Sequence, residues 1–172
     1  MPEPTANRAY LSLGSNIDPE RNLPAAAREL AQYGKIVAVS GVWESRPVGF
    51  ADQANFLNAA VLLATPLSPH DLKSKAIAEI EARFGRIRDP ENVNAPRTID
   101  IDVALFNRDI LTIGQRTIPD PDILTRAFVA VPLAELDGDY VHPQDGRTLG
   151  TIAAGIKQDQ PTLLIRPDVQ LR

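Results

Sequence analysis

Short runs of apolar and β-branched residues mark the first strands of the chain. Apolar and β-branched runs at residues 9–13, 36–44 and 56–65 predict three strands, and Gly14-Ser15-Asn16 forms a turn after the first. Residues 98–106 alternate in polarity without a break, which predicts a fourth strand. The residues expected to share its core-facing side are Ile99, Ile101, Val103 and Leu105.

Two stretches with helical spacing separate these strands. Asn22 is a suitable N-cap for a helix that reaches Tyr33, and Ser68 opens a second helix that ends before Gly85. Their apolar faces consist of Leu23, Ala26, Ala27 and Leu30 in the first helix and of Leu72, Ala76, Ile80 and Phe84 in the second. The resulting order β-α-β-β-α-β predicts an α+β fold of the ferredoxin-like type, in which two helices cover one face of an antiparallel sheet.

The last third of the chain is less regular and is expected to form a C-terminal extension to this core. A short strand near Leu111, a proline-rich turn at residues 119–121, a helical stretch at 126–136 broken at Pro132, and a small helix after Arg147 are predicted. Residues 157–172 are expected to be either a closing strand or a loose tail. A length of 172 residues fits one domain spanning residues 1–172.

The amino-acid composition and net charge of the chain exclude or disfavour several classes of function. The chain is 44% hydrophobic and 23% charged, which is typical of a globular domain. It has no cysteine and two histidines, which excludes thiolate catalysis and argues against a multi-histidine metal site. The net charge of −4 disfavours a nucleic-acid partner. Because neither a signal peptide nor a membrane-length apolar stretch is found, we expect a cytoplasmic protein without membrane contact. We also expect the protein to be a monomer.

Two carboxylates on the fourth strand are the main candidates for chemistry. Asp100 and Asp102 fall on the same side of the strand, about 7 Å apart along it. Paired carboxylates suit Mg²⁺, although two acids on a solvated strand face are the plain alternative. Arg86, Arg88 and Arg97 border the loop before this strand. Carboxylates for metal beside arginines for phosphate are what phosphoryl transfer requires, and no P-loop or dinucleotide-binding glycine motif occurs.

Five blocks of sequence stand out along the chain: LSLGSN at 11–16, ESRPVGFADQANFLNA at 44–59, EARFGRIR at 81–88, PRTIDIDVAL at 96–105 and RAFV at 126–129. Together they resemble the 6-hydroxymethyl-7,8-dihydropterin pyrophosphokinases of folate biosynthesis. The similarity runs in the family's order from residue 9 to residue 136, and the PRTIDID block is its most specific part. The family's α+β fold with a ferredoxin-like core agrees with the predicted order of elements.

The resemblance implies transfer of diphosphate from ATP to the hydroxymethyl oxygen of the reduced pterin, with release of AMP. Two Mg²⁺ ions are implied, held by Asp100 and Asp102, and one ion would polarise the attacking hydroxyl. By position, the residues implied on the phosphate and nucleotide side are Arg86, Arg97, Arg88, Thr117 and Arg126. Those implied to bind the pterin are Phe56 and Phe128 as the stacking rings, Asn58 as the amide that recognises the pterin edge, and the segment with Ser45, Pro47 and Val48.

Two positions depart from the family pattern. Val93-Asn94-Ala95 stands where the family usually has Arg-Trp-Gly, and Asp120 stands where it typically has His. We expect Asp120 to orient Arg116 or Arg126, and a role as metal ligand is the competing hypothesis. Other functions compatible with the residues are a paralogue acting on a related pterin, a two-metal nucleotidyltransferase or phosphodiesterase, and a ferredoxin-like module that binds nucleic acid.

Overall fold

One antiparallel sheet forms the centre of the fold. The computed structural model describes residues 6–49 and 51–172. The strands are β1 Asn7–Ser15, β2 Lys35–Val39, β3 Trp43–Ser45, β4 Phe56–Thr65, β5 Asp100–Phe106, β6 Leu111–Ile113, β7 Arg116–Ile118 and β8 Leu164–Ile165. The helices are α1 Pro19–Glu29, α2 Pro69–Asp71, a π-helical turn at Leu72–Ile77, α3 Ala78–Arg83, α4 Ala127–Leu136 and α5 Leu149–Asp159, with 3₁₀ turns at Leu30–Gln32 and Pro121–Leu124.

The strand order places β5 at one edge of the sheet. The order is β5-β1-β4-β3-β8, β2 also pairs with β4, and β6 and β7 form a separate two-stranded sheet. All the ladders of the main sheet are antiparallel. The predicted α+β fold with an antiparallel sheet is therefore confirmed, and the edge position of β5 leaves one side of its backbone open to a neighbouring helix.

Helices cover both faces of the sheet, whereas the sequence predicted one covered face. The first face carries α1 and the continuous helical segment from α2 to α3, packed through Leu23, Leu30, Leu72, Ile77 and Ile80. The second face carries α4, which packs through Val129 and Leu133 on Tyr10, Ala60 and Leu62, with α5 against α4. The C-terminal extension therefore buries the face that the ferredoxin-like core leaves exposed.

The first helix and the second strand have boundaries that differ from the predicted ones, and local hydrogen bonds explain both differences. Helix α1 starts at Pro19 after Asp18, so Asn22 lies inside it and donates from Nδ2 to the Ile17 carbonyl at 2.7 Å. The predicted strand 36–44 divides into β2 and β3 at Ser40, whose Oγ accepts the Ala60 N–H at 2.8 Å. The side-chain hydroxyl thus replaces a main-chain partner at the break.

A β-bulge in β5 changes which residues face the first core. The strand begins at Asp100 rather than at residue 98. Its pairing with β1 shifts between Tyr10 and Leu11, which leaves Ala104 as an extra residue. Leu105 therefore packs on the α4 side and not with Ile101 as predicted.

The C-terminal residues are packed against the sheet. Helix α4 continues through Pro132 without the predicted break. Strand β8 pairs with β3, and Val169 and Leu171 are buried in the first core, so residues 157–172 complete α5 and then form the closing strand rather than a loose tail. Within the described part of the chain, no helix combines the length and apolar character needed to cross a membrane.

Candidate active site

A cleft of about 340 Å³ opens where β1 and β3 end and where β4 and β5 begin. It brings together most of the residues singled out in the sequence: Ser45, Val48, Phe56, Asn58, Arg97, Asp100, Asp102, Arg126 and Phe128. A neighbouring pocket of about 260 Å³ contains Thr117 and shares Asp102, Arg116, Asp120 and Asp122 with the cleft. The two cavities therefore adjoin at these four residues.

The carboxylates of Asp100 and Asp102 are on the side of β5 opposite Ile101, as the alternation predicted. Burial, followed by the nearby charge of Asp100, raises the pKa of Asp102 to about 6. The closest cations to the Asp102 carboxylate are Arg116, at 3.7 Å, and Lys73, at 4.0 Å. Both contacts are longer than a hydrogen-bonded ion pair, so the Asp102 carboxylate has negative charge to offer a further cation.

This donor set suits a Mg²⁺ ion that is completed by substrate oxygens. Among residues 6–49 and 51–172, no group of three or more histidine or acidic side chains is arranged to hold a metal ion. Two carboxylates alone cannot fill an octahedral shell, and Mg²⁺ is commonly held by one or two carboxylates together with substrate phosphates. The site therefore fits a metal that arrives with a phosphorylated ligand.

Arg97 is held across the mouth of the cleft by four contacts. Its guanidinium donates to Asp100 Oδ2 at 3.0 Å and to the carbonyls of Val93 and Ala95 at 2.7 and 3.2 Å. The same guanidinium lies 5.6 Å from the centre of the Phe56 ring, a cation–π arrangement. One side chain thus connects the loop before β5, the first carboxylate and the aromatic wall.

Arg86 and Arg88 lie beside the cleft and are not part of its wall. Arg88 pairs with Glu81 at 2.9 Å, and the other oxygen of Glu81 accepts the Ile101 N–H at 3.1 Å on the open edge of β5. Arg86 donates to its neighbouring carbonyl of Ile87 at 2.6 Å, and no partner is found for its buried Nε among the described residues. Burial, with repulsion from Arg97, lowers the pKa of Arg86.

The opposite wall of the cleft combines two aromatic rings with a buried amide. Phe56 comes from β4 and Phe128 from the first turn of α4. Asn58 is 5% exposed, and its Nδ2 donates to the Ser45 Oγ at 2.8 Å and to the Trp43 carbonyl at 3.0 Å. Pro47 lines an adjoining pocket on the far side of this wall and not the cleft itself.

Two loops, the first described over residues 46–49 and 51–55 and the second over 89–95, touch above the cleft. Gln53 accepts from Asn16 Nδ2 and donates to the Asn94 carbonyl, each at 2.7 Å. Gly49 has φ +79°, and a Cβ there would lie 2.4 Å from the Asn94 side chain, so only glycine fits this approach. Asn94, in the stretch that departs from the family pattern, is therefore one of the residues that join the two loops.

Asp120 is the one predicted position whose partner differs from the expectation. Its Oδ1 accepts the Asp122 N–H at 2.9 Å and caps the 3₁₀ turn Pro121–Leu124. Arg116 forms its ion pair with Asp102 instead. In the described residues Asp120 thus makes a backbone cap and orients neither Arg116 nor Arg126, and burial raises its pKa.

Two further residues at the site were missed in the sequence. Gln160 accepts the Ala127 N–H at 2.9 Å and donates to the Thr125 carbonyl at 2.8 Å, so it holds the backbone on both sides of Arg126. Lys73 approaches Asp102 from the π-helical turn. Neither belongs to a recognisable motif, and only the tertiary contact reveals them.

The sequence model of the family described as 7,8-dihydro-6-hydroxymethylpterin-pyrophosphokinase (HPPK) matches residues 10–138, which include the cleft and both carboxylates. The chain belongs to this family. A Bacillus subtilis 2-amino-4-hydroxy-6-hydroxymethyldihydropteridine pyrophosphokinase is 42% identical over 133 residues, covering 76% of this chain and 78% of the relative. The enzyme of the same name from Pseudomonas aeruginosa is 40% identical over 150 residues, covering 86% and 90%. The family expected from the sequence is confirmed.

Solved structures with a similar fold include longer chains. The Plasmodium falciparum HPPK-DHPS wild type matches with a TM-score of 0.68 and 14% identity over 96% of this chain. This HPPK-family chain spans about half the length of that protein, 48%. At this identity the likeness concerns the fold alone, and it agrees with the α+β architecture described above.

Proposed function

We propose that this HPPK-family chain transfers the diphosphate of ATP to the hydroxymethyl oxygen of 6-hydroxymethyl-7,8-dihydropterin, giving the pterin diphosphate and AMP. The observation that carries the proposal is one cleft in which an aromatic and amide wall faces a carboxylate pair. The pterin would occupy the wall and the phosphates would lie toward the carboxylates, so the two substrates meet between them.

The pterin side of the cleft has a defined hydrogen-bonding character. Phe56 and Phe128 would stack on the two faces of the pterin, which is worth about 0.5–1.5 kcal/mol beyond burial. Both hydrogens of Asn58 Nδ2 are already used by Trp43 and Ser45. Its Oδ1 is then the group that remains for the ligand, so Asn58 would accept a hydrogen bond from an amino or ring N–H of the pterin. Ser45 and Val48 would border the same edge, and Pro47, which the sequence grouped with them, would support this segment from the adjoining pocket.

On the phosphate side of the cleft, carboxylates would bind metal ions and cationic side chains would bind phosphate. Asp100 and Asp102 would hold two Mg²⁺ ions, which when bound neutralise phosphate charge and lower the pKa of a coordinated hydroxyl. Arg97 and Arg86 would neutralise the diphosphate in transfer. The residues proposed to bind the rest of the nucleotide are Arg88, Thr117 and Arg126, with Thr117 in the 260 Å³ pocket.

We also propose that the protein acts as a cytoplasmic monomer with one domain over residues 1–172. Strand β8 pairs with β3, which ties the C-terminal residues to a strand that ends at the cleft and supports a single domain. The substrates are small molecules, and nothing in the proposed chemistry requires nucleic acid or a membrane.

The test is product analysis with ATP, Mg²⁺ and 6-hydroxymethyl-7,8-dihydropterin. Attack on the β-phosphorus gives AMP in step with pterin diphosphate, and 6-methyl-7,8-dihydropterin, which lacks the hydroxyl, serves as the control and gives neither. Stoichiometric ADP would overturn the proposal, since it marks γ-phosphoryl transfer. Release of pyrophosphate would favour the nucleotidyltransferase instead, and turnover only with a different pterin would favour a paralogue.

A further inference from the structure

Lys73 reaches the active site from a helix whose other side packs in the core. It is the second residue of the π-helical turn Leu72–Ile77, and the turn contacts strand β5. Because β5 is the edge strand, a side chain on this helix can pass around the open edge of the sheet to the face with Asp102. The Lys73 ammonium ends 4.0 Å from the Asp102 carboxylate.

The π-helical turn is the local feature that accompanies this placement. A turn with i→i+5 hydrogen bonds is wider than an α-turn, and such turns often occur at functional sites. Leu72, Ala76 and Ile77 all remain buried within it, so the helix keeps its apolar contact with the sheet. Lys73 lies at the border of that face, and its side chain is 31% exposed.

Lys75, on the same turn, shows what an ordinary surface lysine looks like here. Its side chain is 70% exposed and pairs with Asp71 at 3.3 Å, a local i,i+4 contact on the same helical segment. Lys73 instead lines the 260 Å³ pocket together with Thr117, Arg116 and Asp102. Two lysines two residues apart therefore differ in burial, partner and access to the site.

The contact with Asp102 leaves the donors of Lys73 available. At 4.0 Å the ammonium is beyond hydrogen-bond distance of that carboxylate, and no hydrogen bond from Lys73 is found within the described part of the chain. An ammonium has three N–H donors. The pocket has three carboxylates, Asp102, Asp120 and Asp122, and two cations, Lys73 and Arg116, so a phosphate chain entering it depends on both cations.

We propose that Lys73 is a nucleotide-binding residue that donates to a phosphate oxygen of ATP in this pocket. The inference rests on the proposed function and adds a cation to the arginines implied there. A carboxylate that binds a metal ion no longer balances a neighbouring ammonium, and the phosphate chain supplies the replacement anion. Lys73 thus joins Arg116 and Thr117 as the nucleotide side of the site.

The experiment compares Lys73→Met with Lys75→Met as the matched control. Binding of the non-hydrolysable analogue α,β-methylene-ATP with Mg²⁺ is measured by titration calorimetry, beside steady-state kinetics with both substrates. We expect Lys73→Met to raise the Kd of the analogue and the KM for ATP at least tenfold and to leave the KM for pterin within twofold. Lys73→Arg keeps the charge and is expected to stay within threefold of the wild type, and Lys75→Met is expected to be unchanged.

Several results would overturn the inference. Analogue binding by Lys73→Met within twofold of the wild type does so, and so does a lower kcat with unchanged affinity, which would mean that Lys73 acts only through Asp102. Circular dichroism and thermal unfolding check each fold, and Lys73→Gln replaces the Met variant if that chain is unfolded. A wild type that binds the analogue yet forms no AMP would refute the proposed reaction and leave the binding role of Lys73 standing.

Discussion

Asn58 on β4 and Ser45 on β3 are joined by a 2.8 Å hydrogen bond from the amide Nδ2 to the serine Oγ. The strand register pairs Asn58 with Trp43 and Ser45 with Phe56, so this bond crosses the ladder diagonally, and the Trp43 carbonyl takes the second amide hydrogen. With both donors engaged, the orientation of the buried amide is determined by the protein before any ligand binds.

The first prediction concerns Asn58→Asp, which replaces the amide donor by an oxygen. In this variant an oxygen replaces Nδ2 opposite the Trp43 carbonyl, so the hydrogen bond between them is lost. A buried acceptor without a donor costs about 1–3 kcal/mol, and the orientation that this bond gives the side chain is lost with it. We expect the KM for pterin to rise at least tenfold while the KM for ATP stays within twofold. Asn7→Asp is the matched control, since Asn7 also donates to a main-chain carbonyl, that of Leu67, but lies outside the cleft. Equal effects of both variants on the pterin KM would refute the assignment.

The second prediction concerns turnover by Asp102→Asn. The variant keeps the shape of the side chain and removes one of the two charges proposed to hold the metal. We expect turnover to fall about 10²-fold or more, which is about 2.7 kcal/mol of barrier. The exposed Asp109→Asn variant is the control and should retain full activity. Turnover by Asp102→Asn within threefold of the wild type at saturating Mg²⁺ would show that the strand face is only solvated.

The same variant gives a prediction on stability against pH in metal-free buffer. The pKa of Asp102 is raised from 3.8 to about 6 by burial and by Asp100, so the folded protein binds this proton more tightly than the unfolded chain. The wild type therefore loses stability as pH rises from about 4 to above 6. We expect Asp102→Asn to exceed the wild type in free energy of unfolding above pH 6 and to match it below pH 4. If the unfolding free energies of the wild type and of Asp102→Asn change in parallel across that pH range, the raised pKa of Asp102 is contradicted.

The third prediction concerns Asp120, which caps a 3₁₀ turn. Asparagine accepts the Asp122 N–H equally well, so Asp120→Asn should keep most of the turnover and the stability. Asp120→His removes a carboxylate near the proposed phosphate path, and we expect it to bind ATP as well as the wild type or better. A Mg²⁺ requirement raised tenfold or more in Asp120→Asn would instead place Asp120 among the metal ligands.

The fourth prediction uses His142, which is 1% exposed and does not line the cleft. Its Nδ1 accepts the N–H groups of Gln144 and Asp145 at 3.2 and 3.0 Å, so protonation would break both bonds. Burial lowers the pKa of His142 from 6.5, hence its contribution to stability is present above pH 6.5 and declines as pH falls below it.

We expect His142→Asn, which keeps an acceptor for the turn, to lose less stability than the wild type between pH 6.5 and pH 5. His70→Asn is the control, because the His70 side chain is 77% exposed. The measurement is the difference in unfolding free energy from urea titrations at each pH. A difference that does not change with pH would exclude His142 as the titrating group.

The sequence by itself determined the elements and the position of the carboxylates. Strands and helices follow from local periodicity, and a period of two places Asp100 and Asp102 on one side of a strand whatever surrounds it. The PRTIDID block then identified the family before any contact was known. These features depend only on neighbours in the chain, which is why they can be predicted from it.

Tertiary structure decided the features that depend on residues far apart in the chain. The bulge that turns Leu105 to the α4 side arises from pairing with β1, about a hundred residues earlier in the chain. Gln160 reaches the backbone around Arg126 only because α5 packs on α4, and the cap at Asp120 needs the 3₁₀ turn that follows it. Lys73 and Lys75 are two residues apart and are not distinguished by the sequence. Their ion-pair partners differ because β5 is the edge strand, so the Lys73 side chain can reach Asp102 around that edge while Lys75 pairs with Asp71. The local sequence pattern determines on which side of a helix or strand each residue lies. Packing between elements that are distant in the chain determines which residues that side contacts.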